Sequence, residues 1–433
     1  MSIPVEFVLF GLTLLGVAVF HHHTLKVALL GLAAITAWKI LFGDFYGQPG
    51  LLGLWFHFVE EWVVLTNLFA LLVGFALLSR HFEESHVPHL MPRLLPDDWK
   101  GGFTLLAMVF VLSAFLDNIA AAIIGATVAA TIYNHRLHIG FLAAIVAASN
   151  AGGAGSVLGD TTTTMMWLDG VSPFDVLHAY IASVAAFFVF AIPAARAQHR
   201  HSPIVKNPDP QIHLDWARVI IVVLILVSAI AANIHANSLP PEQAGAFPYI
   251  GATVIGVILL VTPWRRPDWK AVPSAVTGSV FLLSLVLAAS MMPVEQLPPA
   301  SAVTAFGLGF VSAVFDNIPL TKLALEQGGY DWGVLAYAVG FGGSMIWFGS
   351  SAGVALSNMY PEARSVGLWL RHGWHVAVAY VIGFFVMLLI LGWQPHERHK
   401  PPFSPAASSA GQHQAVTGQP RYDVTVHSIK GEM

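Results

Sequence analysis

Two apolar stretches of the chain carry the same polar interruption. Residues 113–119 read SAFLDNI and residues 312–318 read SAVFDNI, so Asp117–Asn118 recurs as Asp316–Asn317. A second pair follows each copy. AGGAGSVLGD at 151–160 is echoed by FGGSMIWFGS at 341–350, with the glycines in register. The duplication implies two related halves. An acid within apolar sequence is costly, so each interruption must coincide with a helix end, a partner or a ligand that satisfies it.

The surroundings set the solvent. Of 433 residues, 56% are hydrophobic and 10% charged, too little charge to cover a soluble protein of this length. Several apolar runs approach the ~20 residues that cross a bilayer. The expectation is an all-α polytopic membrane protein. Spans are read at 4–20, 26–43, 55–79, 172–195, 217–235, 247–263, 271–292 and 369–392. Two more, 139–168 and 332–360, are interrupted by the glycine stretches and read as broken transmembrane helices. The Asp-Asn segments, 102–134 and 301–327, have apolar arms of about 15 residues on each side of a polar tip. Such an arm rises only ~22 Å, less than the ~30 Å hydrocarbon core. Each segment therefore reads as a re-entrant helical hairpin.

Positive charge orients the chain. Arg80, Arg93 and Lys100 lie in 80–101, Arg136 in 134–138, Arg196, Arg200 and Lys206 in 196–216, and Arg265, Arg266 and Lys270 in 264–270. Loops 169–173, 236–246 and 293–300 have no Lys or Arg. With re-entrant hairpins, every Lys/Arg-rich loop falls on the cytoplasmic side and every bare loop outside. The first hairpin then opens from the cytoplasm and the second from outside, which makes the halves inverted repeats. The organisation expected is N-terminal transmembrane helices at 1–50, a first inverted repeat at 51–195, a linking loop and helices at 196–270, a second inverted repeat at 271–392, and a disordered tail at 393–433. The first 20 residues have no Lys or Arg and no clear small-residue cleavage site, and read as a first helix.

The candidate site follows from the breaks. Asp117 and Asp316 offer charged oxygens, Asn118 and Asn317 neutral carbonyls, and free backbone groups complete an oxygen shell of the kind hard cations prefer. Ser113 and Ser312 lie four residues before each Asp, a spacing that shares a helical face. Glycine in the second motif predicts unwound backbone. Asn150, Asp160, Thr161 and Thr162 flank the first glycine break, with Ser350 and Ser351 at the second. Asp160 aligns with Ser350, so the halves differ there by one charge. The bland readings are helix capping by the Asp and Ser residues and close packing by the glycines. Glu60 and Glu61 are candidates for a proton path, or for a place at the membrane interface beside Trp55 and Trp62. Lys322 and Glu326, four apart, read as an ion pair. The histidines match no zinc spacing.

Other classes are disfavoured. Net charge is −4 with no basic run, so no nucleic-acid partner is expected. Cysteine is absent, which removes disulfides and thiolate chemistry. No phosphate loop, Ser/His/Asp arrangement or redox motif is present, so neither an enzyme nor a cofactor is expected. The expected partners are the lipid bilayer and small cations and protons, and a homodimer is left open.

SAFLDN, NAGGAGSVLGDTTTTM, SAVFDNIPLT and GGSMIWFGSSAGVA together resemble NhaD-type sodium/proton antiporters of the ion transporter superfamily, which also holds citrate and dicarboxylate carriers and arsenite permeases. The resemblance covers about 51–195 and 265–392. It implies inverted repeats whose hairpin tips and unwound helices surround one mid-membrane site. It also implies ion-path roles for Asp117, Asn118, Asn150, Asp160, Thr162, Asp316 and Asn317. The superfamily's anion carriers typically place Ser-Asn-Thr at the hairpin tips, where this chain has Asp-Asn. Gly155 and Val157 depart from the bulky aromatic and proline usual in the first glycine stretch. The expectation is a secondary transporter of the bacterial inner membrane that exports Na+ or Li+ in exchange for H+, with Na+ held at Asp117, Asp160 and Asp316. The alternatives are a sodium-coupled citrate or dicarboxylate carrier or an arsenite exporter, with Lys322 and Thr161–Thr164 as its anion pocket, and a non-transporting membrane subunit or receptor.

Overall fold

A computed structural model describes residues 3–20, 23–45, 47–205 and 213–397. The described chain is almost wholly helical, with one two-stranded ladder pairing Asp44–Phe45 with Gln48–Pro49. Six helices among the described residues are long and apolar enough to cross a membrane. The protein is an all-α polytopic membrane protein.

Helices α1 (Val5–Val19), α2 (Thr24–Phe42) and α3 (Gly50–Glu84) precede the first hairpin, whose arms are α4 (Trp99–Leu112) and α5 (Asn118–Ile132). The first broken helix is α6 (Ile139–Ala154) and α7 (Thr161–Leu168), followed by α8 (Ala179–His201). Then come α9 (Trp216–Ser238), α10 (Tyr249–Val261) and α11 (Val272–Ser290). The second hairpin is α12 (Ala302–Ser312) and α13 (Asn317–Gln327), and the second broken helix is α14 (Trp332–Gly342) and α15 (Ser351–Met359). Helix α16 (Val366–Leu391) ends the bundle. The spans expected at 4–20 and 247–263 are shorter helices of 15 and 13 residues. Proline bounds α10 on both sides: Pro248 is its N-cap and Pro263 follows Thr262. The C-terminal tail lies outside the described residues from 398 onward.

Caps fix where the elements start. Asp98, Asp215 and Asp331 each accept a backbone N–H at a helix N-terminus, and Ser301 with Thr304 forms a reciprocal capping box. Asp117, Asp160 and Asp316 do the same for α5, α7 and α13. The polar interruptions in the sequence are thus helix starts placed deep in an apolar bundle.

The two hairpins open at opposite ends. At one end, Val205 N donates to Ile132 O at 2.8 Å, Gln198 to Arg136 O at 2.9 Å, and the Arg196 guanidinium lies 4.7 Å from the Trp99 ring centre. There Arg218 also meets Glu84 at 2.7 Å, and Arg265 meets Asp215 at 2.9 Å. This is the Lys/Arg-rich end, and it holds both outer ends of the first hairpin. The other end gathers bare loops. Gln327 donates to Pro298 O at 2.8 Å, Gly329 N to His396 O at 2.9 Å, and His396 lies 3.9 Å from Asp175. The second hairpin opens there. The first end therefore carries the charge that the positive-inside rule associates with the cytoplasmic side.

Both helices break at the glycine stretches as expected, and the glycines there follow the close-packing reading. None of those in 152–159 or 342–349 has a positive φ. They are instead places where backbones meet. A Cβ on Gly152 would lie 2.0 Å from Phe110 O, and one on Gly342 2.4 Å from Gly309 O. Likewise Gly159 lies under Ser113 O and Gly349 under Ala313 O, at 1.9 and 2.5 Å from a Cβ. Each broken helix therefore presses bare backbone against the first arm of its own hairpin. Close packing is why glycine is needed, and the helices break without left-handed residues.

Candidate ion site

Three carboxylates converge because three helices begin at the middle of the bundle. Asp117 Oδ2 accepts from Ile119 N at 3.1 Å, Asp316 Oδ1 from Ile318 N at 3.0 Å, and Asp160 Oδ1 from Thr162 N at 3.2 Å. The positive end of a helix dipole faces each acid. Capping engages one oxygen of each, so capping and ion binding are compatible. Asp160 is 2% exposed, and its Oδ2 has no hydrogen-bond partner among the described residues. It lies within electrostatic reach of both Asp117 and Asp316.

Amides tie the breaks together. Asn118 Nδ2 donates to Asn150 Oδ1 at 3.1 Å and, over a long 3.5 Å, to Asp160 Oδ1. Asn150 Nδ2 donates to Ser344 Oγ at 2.9 Å. This chain runs from one half into the other. The residue equivalent to Asn150 in the second half is Gly340, where a Cβ would lie 3.1 Å from Asp160 Oδ2. One half supplies an amide at this level and the other supplies room for the carboxylate.

A cavity of ≈ 380 Å³ is lined by Asp117, Asn118, Asp160, Thr161, Asn317 and Ser351, with apolar walls from α3 and α11. Its lining continues to Arg80 and Glu83, which pair at 2.6 Å near the end of α3, and to Ala271 at the start of α11. The opening is therefore toward the Lys/Arg-rich end. Asp316 lines a neighbouring cavity of ≈ 270 Å³ with Ser350, Ser351 and Asn358. Ser351 borders both cavities, and its hydroxyl approaches Asp316 Oδ2 at 3.5 Å.

Several candidates serve the scaffold. Ser312 donates to Val339 O at 2.7 Å, and Ser113 is buried, with neither serine lining the cavities. The four-residue spacing does not place them beside the acids because α4 ends at Leu112 and α12 at Ser312. Each Asp belongs to the next helix. Ser350 caps α15 by accepting from Gly353 N at 3.2 Å. Thr163 and Thr164 both donate to Asp160 O at 2.9 Å, and also to Ser156 O and Val157 O, bracing the break. Thr162 is buried, and its N–H holds Asp160.

Glu60 lies on an exposed face of α3, while Glu61 is buried and bonded to Lys322 at 3.0 Å. Lys322 also pairs with Glu326 at 2.7 Å, as its spacing predicts. Two carboxylates hold Lys322, and the Thr163 and Thr164 hydroxyls donate to carbonyls, so these members of the anion pocket considered from the sequence are already engaged. The Glu61 partnership was not readable from sequence. Ser344 was also missed, although it stands inside the second glycine motif.

A bundle of this kind, with two oppositely opening hairpins and carboxylate-capped breaks around a mid-bundle cavity, is built as secondary transporters are built. No family model matches the chain. Curated relatives are similar to it. Sodium/proton antiporter 1 of Arabidopsis thaliana is 27% identical over 297 residues, 60% of this chain and 50% of that protein. Sodium/proton antiporter 2 of the same plant is 28% identical over 60% of this chain and 69% of its own length. The Na(+)/H(+) antiporter NhaD of Vibrio parahaemolyticus is 26% identical over 60% of this chain and 72% of its own length. The chain thus spans about half the length of the first of these relatives. These matches agree with the resemblance carried by the hairpin and glycine motifs, over part of each relative's length.

Proposed function

We propose that this protein is a secondary antiporter exchanging Na+ or Li+ for H+ across the bacterial cell membrane. The observation that carries the reading is the convergence of Asp117, Asp160 and Asp316 on one mid-bundle region, with Asn118 and Asn317 beside them. Oxygen ligands of this type suit small hard cations. A proton and a cation neutralise the same carboxylate charge, so each displaces the other. Three interacting acids titrate as a set, and the proton load is shared among them.

Geometry also supports a direction of access. The larger cavity reaches from Asp117 and Asp160 toward Arg80, so this conformation presents the site to the cytoplasm. Cytoplasmic Na+ enters the cavity, displaces protons, and leaves outside after the hairpin-bearing units rearrange. The relatives named NhaD come from bacteria such as Vibrio and Halomonas, which supports the bacterial membrane, and the Arabidopsis relatives extend the comparison to a plant.

The test is neutralisation of the acids. Losing one charged member of a buried set costs about 3–5 kcal/mol, or ~150-fold and more in cation affinity. Asp117→Asn and Asp316→Asn should insert normally and lose Na+-driven proton movement in proteoliposomes. Exchange at the unmodified rate in both variants would contradict the assignment.

A further inference from the structure

The buried triad Glu61–Lys322–Glu326 stands apart from both cavities. Lys322 is 4% and Glu61 5% exposed, yet neither lines the cavity that holds Asp117 and Asp160. The triad joins α3 to α13, the second arm of the second hairpin. Its position along both helices is informative. Glu61 lies toward the start of α3, away from Arg80 at the cavity mouth. Lys322 follows Asn317 by five residues, along the arm that ends at Gln327 among the bare loops. The ion triad therefore lies between the site and the outer end, while the cavity lies between the site and the cytoplasmic end. In the same region His57, one turn before Glu61, bonds Ser290 of α11 at 3.0 Å. The charged groups within reach of Lys322 are Glu61, Glu326 and Asp169, and His57 faces Glu61.

We propose that Lys322 is a positioning residue that closes the outer side of the transport pathway. By holding Glu61 of α3 it keeps the second hairpin docked, and the site can face outward only when this ion contact separates. The proposal rests on reading the mid-bundle region as a transport site. The contact suits a two-state closure. Buried, the ions bind each other strongly in a low-dielectric setting; separated into a water-filled vestibule, each is hydrated. A bridge of this kind thus favours the closed arrangement without making the open one prohibitive. The alternative role for the triad is fixed scaffolding, in which α3 and α13 never part.

The absence of cysteine allows a direct test on the full chain in vesicles. Ser290→Cys reports the outer side, and Ser279→Cys, which lines the cytoplasmic cavity, reports the inner side. Each is labelled with a membrane-impermeant maleimide from its own side. Glu61→Gln should raise outer labelling on the order of 5- to 30-fold, the effect of a small shift in a two-state balance, and should lower inner labelling. Lys322→Met should act in the same direction. If Lys322→Met fails to insert, Glu61→Gln still decides the matter, because it keeps the Lys322–Glu326 pair. Unchanged outer labelling in Glu61→Gln would overturn the proposal, and so would a rise on both sides, which is the mark of general loosening. The readout needs no transported ion. Opposite shifts without Na+-driven proton movement would keep the closure and refute the exchange reading.

Discussion

Gly340→Ala tests the site by adding one methyl group. The new Cβ would lie 3.1 Å from Asp160 Oδ2 and 3.6 Å from the Ala154 Cβ. A contact of 3.1 Å to an oxygen is a few tenths of an ångström too close, so the carboxylate must move. Its other oxygen is held by Thr162 N at 3.2 Å and approached by Asn118 at 3.5 Å, which limits where it can go. Overpacking a tight interior costs about 1–3 kcal/mol. Spent at a cation ligand, that weakens apparent Na+ affinity by ~5- to 150-fold. Gly307→Ala is the matched control, since a Cβ there meets nothing within 4 Å and glycine inside α12 gains from replacement. The assay is the Na+ concentration for half-maximal proton movement in proteoliposomes at fixed pH. Gly307→Ala should match the parent and Gly340→Ala should need more Na+. Equal affinity in both would refute the claim that Asp160, packed against Gly340, binds the cation.

Other changes read other parts of the structure. Gly342→Ala, whose Cβ would meet the Gly309 carbonyl at 2.4 Å, should lower the melting temperature in detergent, because backbone opposes it. Arg136→Cys should be labelled only from the cytoplasm and Gln296→Cys only from outside; labelling of both from one side would contradict the opposed hairpins. Both positions are exposed. Asp215→Ala should destabilise the Lys/Arg-rich end by about 1 kcal/mol through its lost cap. The hydrogen bond from Arg265 holds the Asp215 carboxyl below its ordinary range. Its contribution should be complete at neutral pH and fade only in acid, as pH falls through the depressed value, which a thermal melt across pH would register.

The elements were legible where local chemistry decides them. The acid-amide interruptions mark helix starts, so the hairpin arms expected at 102–134 and 301–327 end close to the observed Trp99–Ile132 and Ala302–Gln327. Loop charge anticipated that the two hairpins open at opposite ends, because Lys and Arg cluster at one end of the bundle. Spacing failed for Ser113 and Ser312, since an (i, i+4) argument presumes a helix that continues, and both helices stop first. The glycines mark both helix breaks, and close packing rather than left-handed backbone is what requires them. Sequence marks where a side chain is missing, but the opposing carbonyls of Phe110 and Gly309 come from another helix. The Glu61–Lys322 bond spans 261 positions and depends on how α3 and α13 dock, which no local pattern encodes.

In the proposed exchange the mid-bundle carboxylates bind a small cation in competition with protons. Purified protein in proteoliposomes, with a pH dye and parallel labelled-citrate uptake, tests it most directly. Addition of Na+ or Li+ should move protons in the opposite direction, with less Na+ needed as pH rises, and citrate should stay outside. Na+-dependent citrate uptake without cation-driven proton movement would contradict it.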